Sequence, residues 1–450
     1  MVGKTIMTLR HIAYFWVTVG FLTAMPSYGQ DIVIKHVTLL DGTGSAPFVD
    51  VWVATEGDRI QAIGTGAAPS GKVEINGSGK FLIPGLIDAH VHVGGGRLRV
   101  AEGTDAEARH TAVVSSLHGY LYSGVTTVFD SGNLADFIFP LRQQERDNEI
   151  QSPRIYATGG VVTSLGGYGS GPGATVIGGE NDLVVLDQHL DHQPDMVKIL
   201  LDPQGRRGTP EAPIFTQDLL TKVVQRIHAR GIRTTVHIPT EAEARLAIES
   251  GIDALAHLPA RSDMSDEFVG YATARGIPMA TTLAVFSNIA RVADNPEMFD
   301  APLYQATLTT ADRVKRKTTE RQRYMSSGMS SFFSGMLPAM QRNLYSLYQG
   351  GAILALGTDR SVGPATHQEL RLLVDSGLPE ADVIRIATLN AAAYLGLDSD
   401  LGSIEVGKLA DMVLLSADPL EDIDNAQLIS AVVKGGKVID RQALQLPVNQ

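Results

Sequence analysis

GLIDAHVHVGGG, Gly85 to Gly96, is an apolar run that ends in two histidines separated by a single valine. Side chains alternate across a strand, so on an extended backbone His90 and His92 share one face and Val91 takes the other. Two imidazoles converging at a strand end are placed to share a metal ion. An H-x-H pair alone is also compatible with ordinary surface or core histidines, so its meaning depends on what the neighbouring segments carry.

From Pro84 to about Ser403, short apolar runs alternate with helical stretches. VTTVFD (125–130), RIYATGG (154–160), DMVKILL (195–201), RTTVHI (233–238), ALAHL (254–258), IPMATTL (277–283) and AILALGTD (352–359) join LIDAHVH as eight candidate strands. Strict β/α alternation predicts a parallel sheet, and eight repeats predict a closed (β/α)8 TIM barrel. Thr240 with Glu243 forms a capping-box pattern and Gly251 stands at a helix C-terminus, so residues 241–250 are expected to be helical. His237 then lies where a strand gives way to a helix, which is the catalytic face of such a barrel.

The other strand ends strengthen the metal reading. Lys198 is surrounded by apolar neighbours in MVKIL, where an isolated ammonium would cost several kcal/mol unless neutralised or paired. Its alternative is to snorkel to the rim. His237 and His257 each close a strand one repeat apart, and Asp359 closes the eighth in LGTD.

Both ends of the chain are β-rich. DIVIKHVTLLDG and VDVWVATEGDRIQAIG alternate β-branched and polar residues with turns at Asp41-Gly42 and Gly57-Asp58, and GKLADMVLL and LISAVVKGGKVID read likewise. Residues 30–83 and 404–450 are therefore expected to form one small β-sandwich around a catalytic domain at 84–403. Residues 1–29 read as a signal peptide: Lys4, Arg10 and His11 precede an apolar segment from Ile12 to Met25, and Ser27-Tyr28-Gly29 offers a small-x-small cleavage site. That segment is shorter than the roughly 20 residues of a spanning helix, so the expectation is an exported, periplasmic or secreted protein without a stable membrane anchor.

The 450 residues contain no cysteine, which removes disulfides and thiolate ligands and leaves His, Asp, Glu or Lys for any metal site. Net charge is -12, and loss of Lys4 and Arg10 with the leader would make it more negative. Such a chain is a poor nucleic-acid binder.

Together these residues resemble the amidohydrolase superfamily of metal-dependent hydrolases, over roughly residues 31 to 440. The tail ATLNAAAYLGLDSDLGSIEVGKLADMVLL (387–415) resembles that superfamily's last barrel helix and its return to the sandwich. The resemblance implies that His90 and His92 bind one divalent ion, usually Zn2+, and that His237 and His257 bind a second. Lys198 would be carboxylated and bridge the two, and Asp359 would serve as a metal ligand and catalytic proton acceptor. Two metals activating a bridging hydroxide would hydrolyse a C-N amide bond in a small-molecule substrate. The group most resembled is that of prolidases, Xaa-dipeptidases and N-acyl amino acid hydrolases, which points to a dipeptide or N-acyl amino acid and to a homo-oligomer. A lactonase, esterase or cyclic amidase on the same centre is the alternative, and an inactive metal-binding module the remote one.

Substrate contacts are less legible. Many of those relatives carry a histidine in a glycine-rich loop after strand three and a tyrosine two residues past the fifth-strand histidine. This chain has Tyr168 in that loop and Pro239 after His237. The loop, 158–179, holds nine glycines in 22 residues without a GK[ST] ending, so it reads as a mobile rim rather than a phosphate cradle. His367, eight residues after Asp359, is expected at the mouth with Tyr168. His36, His110, His118, His189, His192 and His228 read as structural or solvated. Residues 284–349 make a long connection that reads as a lid or as packed scaffold. Its basic run 312–323 suits a substrate-carboxylate clamp or a solvated helix face. Met325, Met329, Phe332, Phe333, Met336 and Met340 suit core packing or an adaptable apolar wall.

Overall fold

All eight apolar runs form parallel strands in the computed structural model, which describes residues 30–96, 105–205 and 211–449. They are Leu86–Val91, Val125–Asp130, Arg154–Ala157, Met196–Leu200, Arg233–His237, Ala254–Leu255, Met279–Ala280 and Leu354–Ala355. The first three pair as one sheet. The other five continue a seven-stranded parallel sheet that begins with two extra strands. Backbone hydrogen bonds run between the sheets at both seams. Ala89 N donates to Leu356 O (2.9 Å) and Asp359 N to His90 O (2.7 Å), while Asp195 N donates to Ala157 O (3.0 Å). Helices between the strands cover the outer faces, as β/α connections require. The first strand is buried at every position, one face by helices and the other by neighbouring strands, which is why its sequence is almost wholly apolar up to the histidines.

One expectation is corrected. The glycine-rich segment 158–179 is not a plain rim: Val162–Ser164 and Thr175–Ile177 pair in parallel, and Val162 also pairs with Ile199 of the fourth strand. Its β-branched VVT and TVI triplets form strands, and the left-handed Gly166, Gly169 and Gly173 turn the chain between them. In the basic run, left open between a clamp and a solvated face, three cations are engaged within their own excursion. Arg313 binds Asp300 (2.9 Å), Lys317 binds Glu297 (2.6 Å), and Arg321 donates to the carbonyls of Val292 and Ala293 (3.1 and 3.0 Å). None of these three cations lines the central cavity beside the strand ends. Most of this excursion is helical, ending in the long helix Met329–Gln349.

The chain ends meet. Phe81–Pro84 pairs with Met412–Leu415 in an eight-stranded, mostly antiparallel sheet built from residues 30–84 and 412–439. Hydrogen bonding makes this one sheet rather than two. It curls around a single apolar cluster in which Ile32, Val53 and Leu82 from one end meet Met412, Leu414 and Val433 from the other. Helix Glu241–Glu249 follows the fifth strand as expected, with Thr240 Oγ1 accepting from Ala242 N (3.2 Å). The leader expectation for residues 1–29 lies outside the described residues. Among the described residues, no helix is long and apolar enough to cross a membrane.

The junction into the first strand is tight. A Cβ on Gly85 would stand 2.1 Å from Thr126 Oγ1. Gly85→Ala should therefore destabilise the fold by about 1–3 kcal/mol, and Thr126→Ala in the same chain should recover part of that loss in urea melts. Additive losses would show that the two sites do not clash.

Candidate metal centre

The strand ends bring His90, His92, Lys198, His237, His257 and Asp359 to one place. Each imidazole has one ring nitrogen engaged by an outer partner. His90 Nδ1 meets the Ala256 carbonyl (2.9 Å) and His92 Nδ1 the Gly132 carbonyl (3.1 Å). A carbonyl only accepts, so both Nδ1 atoms carry the proton and both Nε2 atoms face inward. His257 Nδ1 lies 2.9 Å from Thr282 Oγ1, and His237 Nε2 lies 3.3 Å from Asp202 Oδ2. His237 is thus turned the other way round, with Nδ1 left for the centre. The rings crowd together: His90 and His257 have centroids 4.7 Å apart, and His237 and His257 4.6 Å.

Burial pushes His90 and His257 well below the ordinary imidazole range and lowers His237, with the Lys198 charge adding to the effect in each. Neutral imidazoles with inward lone pairs are what a cation requires. Donor atoms of His90, His257 and Asp359 all lie within 4.8 Å of one another. This set of nitrogen and oxygen donors fits a divalent metal such as zinc.

Lys198 does not snorkel. It is 3% exposed, and its Nζ donates to His90 Nε2 at 2.8 Å. Asp359 Oδ1 lies 3.0 Å from His92 Nε2 and 3.8 Å from His90 Nε2. Since His92 Nδ1 is already committed to Gly132, the carboxylate facing its Nε2 is matched either by a proton or by a metal ion shared between the two. Burial disfavours the Asp359 anion, but the His92 hydrogen bond and the surrounding imidazoles outweigh it and hold the carboxyl well below its usual range. Its backbone is left-handed (φ 50°), uncommon for a residue with a Cβ. The hydrogen bond that Asp359 N–H donates to His90 O fixes that turn.

Several site residues have no motif of their own. Asp202, two residues past the fourth strand, accepts from the backbone N–H groups of Gln204 and Gly205 (both 2.9 Å) and from Arg261 (3.1 Å). Burial raises it, yet His237, those N–H groups and Arg261 hold it down at about 2. The donors other than His237 keep it anionic when that imidazole is neutral. Its signal in the sequence is the one that singled out Asp359, an acid just beyond a strand end. Asp88 shares a face with His90 by alternation and is fully buried, accepting from Thr358 N (3.0 Å) and Thr358 Oγ1 (2.8 Å); burial raises it to about 7. Asp130 lies behind His92 and accepts from Val93 N (2.7 Å) and Gly132 N (3.1 Å). Glu369 is buried within a helix that gave no sequence signal. It accepts from Thr281 Oγ1 (2.6 Å), Leu283 N (2.9 Å) and Ala284 N (2.5 Å), and burial raises it to about 8. It thereby brackets Thr282, the left-handed residue that supports His257.

A cavity of about 250 Å³ opens onto this centre and is lined by His92, Lys198, His237, His257 and Asp359, among others. Residues 81–439 match the family model described as "Amidohydrolase family".

The chain belongs to that family.

It is 24% identical over 394 residues to an ochratoxinase of Aspergillus niger, covering 79% of this chain and 75% of the relative. It is 24% identical over 436 residues to an imidazolonepropionase of Alkaliphilus oremlandii, covering 87% and 90%. Its fold is similar to a crystal structure of a Xaa-Pro dipeptidase with methionine bound in the active site. That match has a TM-score of 0.72 at 22% identity, over 91% of this chain and 99% of the other. Members of this amidohydrolase family are metal-dependent hydrolases acting on carbon–nitrogen bonds, and this chain is such an enzyme for small-molecule substrates.

The two expected substrate contacts part company. Tyr168 lines the cavity of the amidohydrolase, with its ring stacked on His237 at 5.6 Å and 29°. His367 does not line it: the residue is 4% exposed, and its Nε2 is 2.7 Å from the Ser123 carbonyl. The helix Pro364–Asp375 turns that side of its first turn toward the strand junction instead of the mouth. Burial lowers His367 to about 4, consistent with a neutral structural imidazole.

Asp202 supports His237 from outside, so Asp202→Asn should keep the fold but weaken metal binding by about 10- to 100-fold, the usual scale for an outer partner of a ligand. Calorimetric titration of the metal-free protein with zinc would measure this, and unchanged affinity would make Asp202 a partner of Arg261 alone.

Proposed function

We propose that this amidohydrolase is an exported enzyme with two divalent metals, most naturally zinc, that hydrolyses an amide bond in a dipeptide or N-acyl amino acid. In this reading the eight strands close as a barrel over 84–403, and residues 30–83 and 404–450 form the attached β unit. The observation that carries it is the convergence of four inward-turned imidazoles, a buried lysine and a buried carboxylate on one cavity. Ordinary core histidines would have no reason to leave their inner nitrogens facing one another.

His90 and His92 would hold one ion with Asp359, and His237 and His257 the other. The Lys198 ammonium would lose two protons in all as its Nζ adds carbon dioxide, becoming an anionic oxygen ligand between them. That conversion explains a lysine so deeply placed: the anion removes the cation that otherwise crowds His90. When bound, the metals supply Lewis-acid activation of water and of the substrate carbonyl.

The remaining chemistry belongs to the chain. Asp359 is anionic at neutral pH and sits at the mouth of the cradle, so it can accept the proton of the attacking water at a carboxylate oxygen. It then delivers that proton to the amide nitrogen as the C–N bond breaks, and the departing amine leaves neutral. The left-handed turn at Asp359 limits the carboxylate to this position.

Purified protein should carry close to two metal ions per chain by elemental analysis and should cleave members of a dipeptide and N-acyl amino acid panel, with chelation abolishing turnover. Asp359→Asn retains an oxygen ligand but no base, so turnover should fall about a hundredfold or more while much of the metal stays. One ion per chain with full activity would exclude the two-metal arrangement, and near-normal turnover in Asp359→Asn would remove that residue from proton transfer.

A further inference from the structure

The cavity is polar at one end and aromatic at the other. The excursion between the seventh and eighth strands contributes two helices, Leu283–Arg291 and Met329–Gln349, and from them Phe286, Phe332, Phe333 and Met336 reach the lining. The three phenylalanine rings form a continuous series. The Phe286 ring centroid is 6.4 Å from that of His257, in an edge-on arrangement at 75°. Phe333 comes next at 5.2 Å from Phe286, and Phe332 at 5.2 Å from Phe333, with interplanar angles of 54° and 70°. Phe333 is 4% exposed and packed into the core, whereas Phe332 is 40% exposed. An aromatic track therefore leads from a metal-ligand candidate out to solvent.

Charge along the track narrows the kind of group it can hold. The lining glycines Gly96 and Gly132 stand beside His92, at the polar end. Arg261 and Lys198 are the cations of the described lining, and both are engaged at the polar end, Arg261 by Asp202 and Lys198 by His90. Arg313, Lys317 and Arg321 of the excursion are engaged by acids and carbonyls away from the lining. Among the described residues the aromatic end has no charge to offer, so it suits an apolar group whose π-face or edge meets the staggered rings.

We infer that the substrate carries an aromatic group on one side of the scissile amide, seated against Phe286, Phe333 and Phe332, and that these residues set the enzyme's preference. The inference rests on the amide-hydrolysis reading for its chemistry but not for its binding site. Burying a phenyl ring in place of a methyl group on such a surface favours the aromatic substrate by about thirtyfold or more.

Two measurements on the metal-loaded full chain and on Phe332→Ala decide it. Phe332 is the exposed member of the series, so its truncation leaves the core intact. In the first measurement, kcat/KM is compared for Phe-Gly against Ala-Gly and for Gly-Phe against Gly-Ala. At least one pair should favour phenylalanine by about thirtyfold, and Phe332→Ala should cut that ratio by about tenfold. In the second, calorimetry compares binding of 3-phenylpropanoate and propanoate, with the same ratio test. If neither these dipeptides nor the matching N-acyl amino acids are cleaved, the amide reading fails, and the calorimetric arm still decides the aromatic site. Equal treatment of phenyl and methyl compounds by the wild type, or a preference that survives Phe332→Ala, would overturn the inference.

Discussion

Everything at this centre depends on which nitrogen of each imidazole is already occupied. Backbone carbonyls of Ala256 and Gly132 take the outer protons of His90 and His92, Thr282 occupies Nδ1 of His257, and Asp202 takes Nε2 of His237. Three of these residues present Nε2 to the cavity and one presents Nδ1, so the partners decide the donor set as much as the histidines do. Burial then keeps His90, His237 and His257 neutral, which a ligand must be and a surface histidine is not at mildly acidic pH.

The fold supplies those partners through its strand ends, where hydrogen-bonded ladders give way to turns. Thr282 and Asp359 follow the seventh and eighth strands, and both have φ of 50°. Left-handed backbone is costly for a β-branched threonine, and the surroundings hold it there. Glu369 accepts from the residues on either side of Thr282, and His90 O accepts from Asp359 N. Gly357 completes the fit, since a Cβ there would come within 2.8 Å of His90 Cβ. Local strain, a buried acid and a missing side chain thus share one purpose, keeping the ligands aimed at a common point.

The features legible in the sequence are those carried by local signals. Alternation along a strand is a two-residue property, so LIDAHVH announced its face directly, and the repeated strand-end position of His237, His257 and Asp359 extended it. Lys198 stood out because its neighbours are apolar. Asp202 carried the same strand-end signal but lay beside a proline rather than in a recognisable pair. Glu369 was invisible because its partners are N–H groups 85 and 86 residues earlier in the chain. His367 was misplaced because sequence distance from Asp359 says nothing about which side of a helix faces the mouth. The glycine run misled for a related reason: glycine content describes the turns, while the strands depend on the few β-branched residues between them. Arg313, Lys317 and Arg321 of the excursion face acids and carbonyls that only the folded helices bring near, and its phenylalanines form a series only once helix packing lines them up beside His257.

The most direct test of this account is an anomalous difference map from crystals of the zinc-loaded protein. It should contain two peaks about 4 Å apart or less, one within ligand distance of His90, His92 and Asp359 and the other of His237 Nδ1 and His257, with extra density on Lys198 Nζ between them. A lone zinc held by His237 Nε2 together with Asp202 would mean that the outer partner is itself a ligand, and would contradict the assignment of inner and outer nitrogens on which the whole arrangement rests.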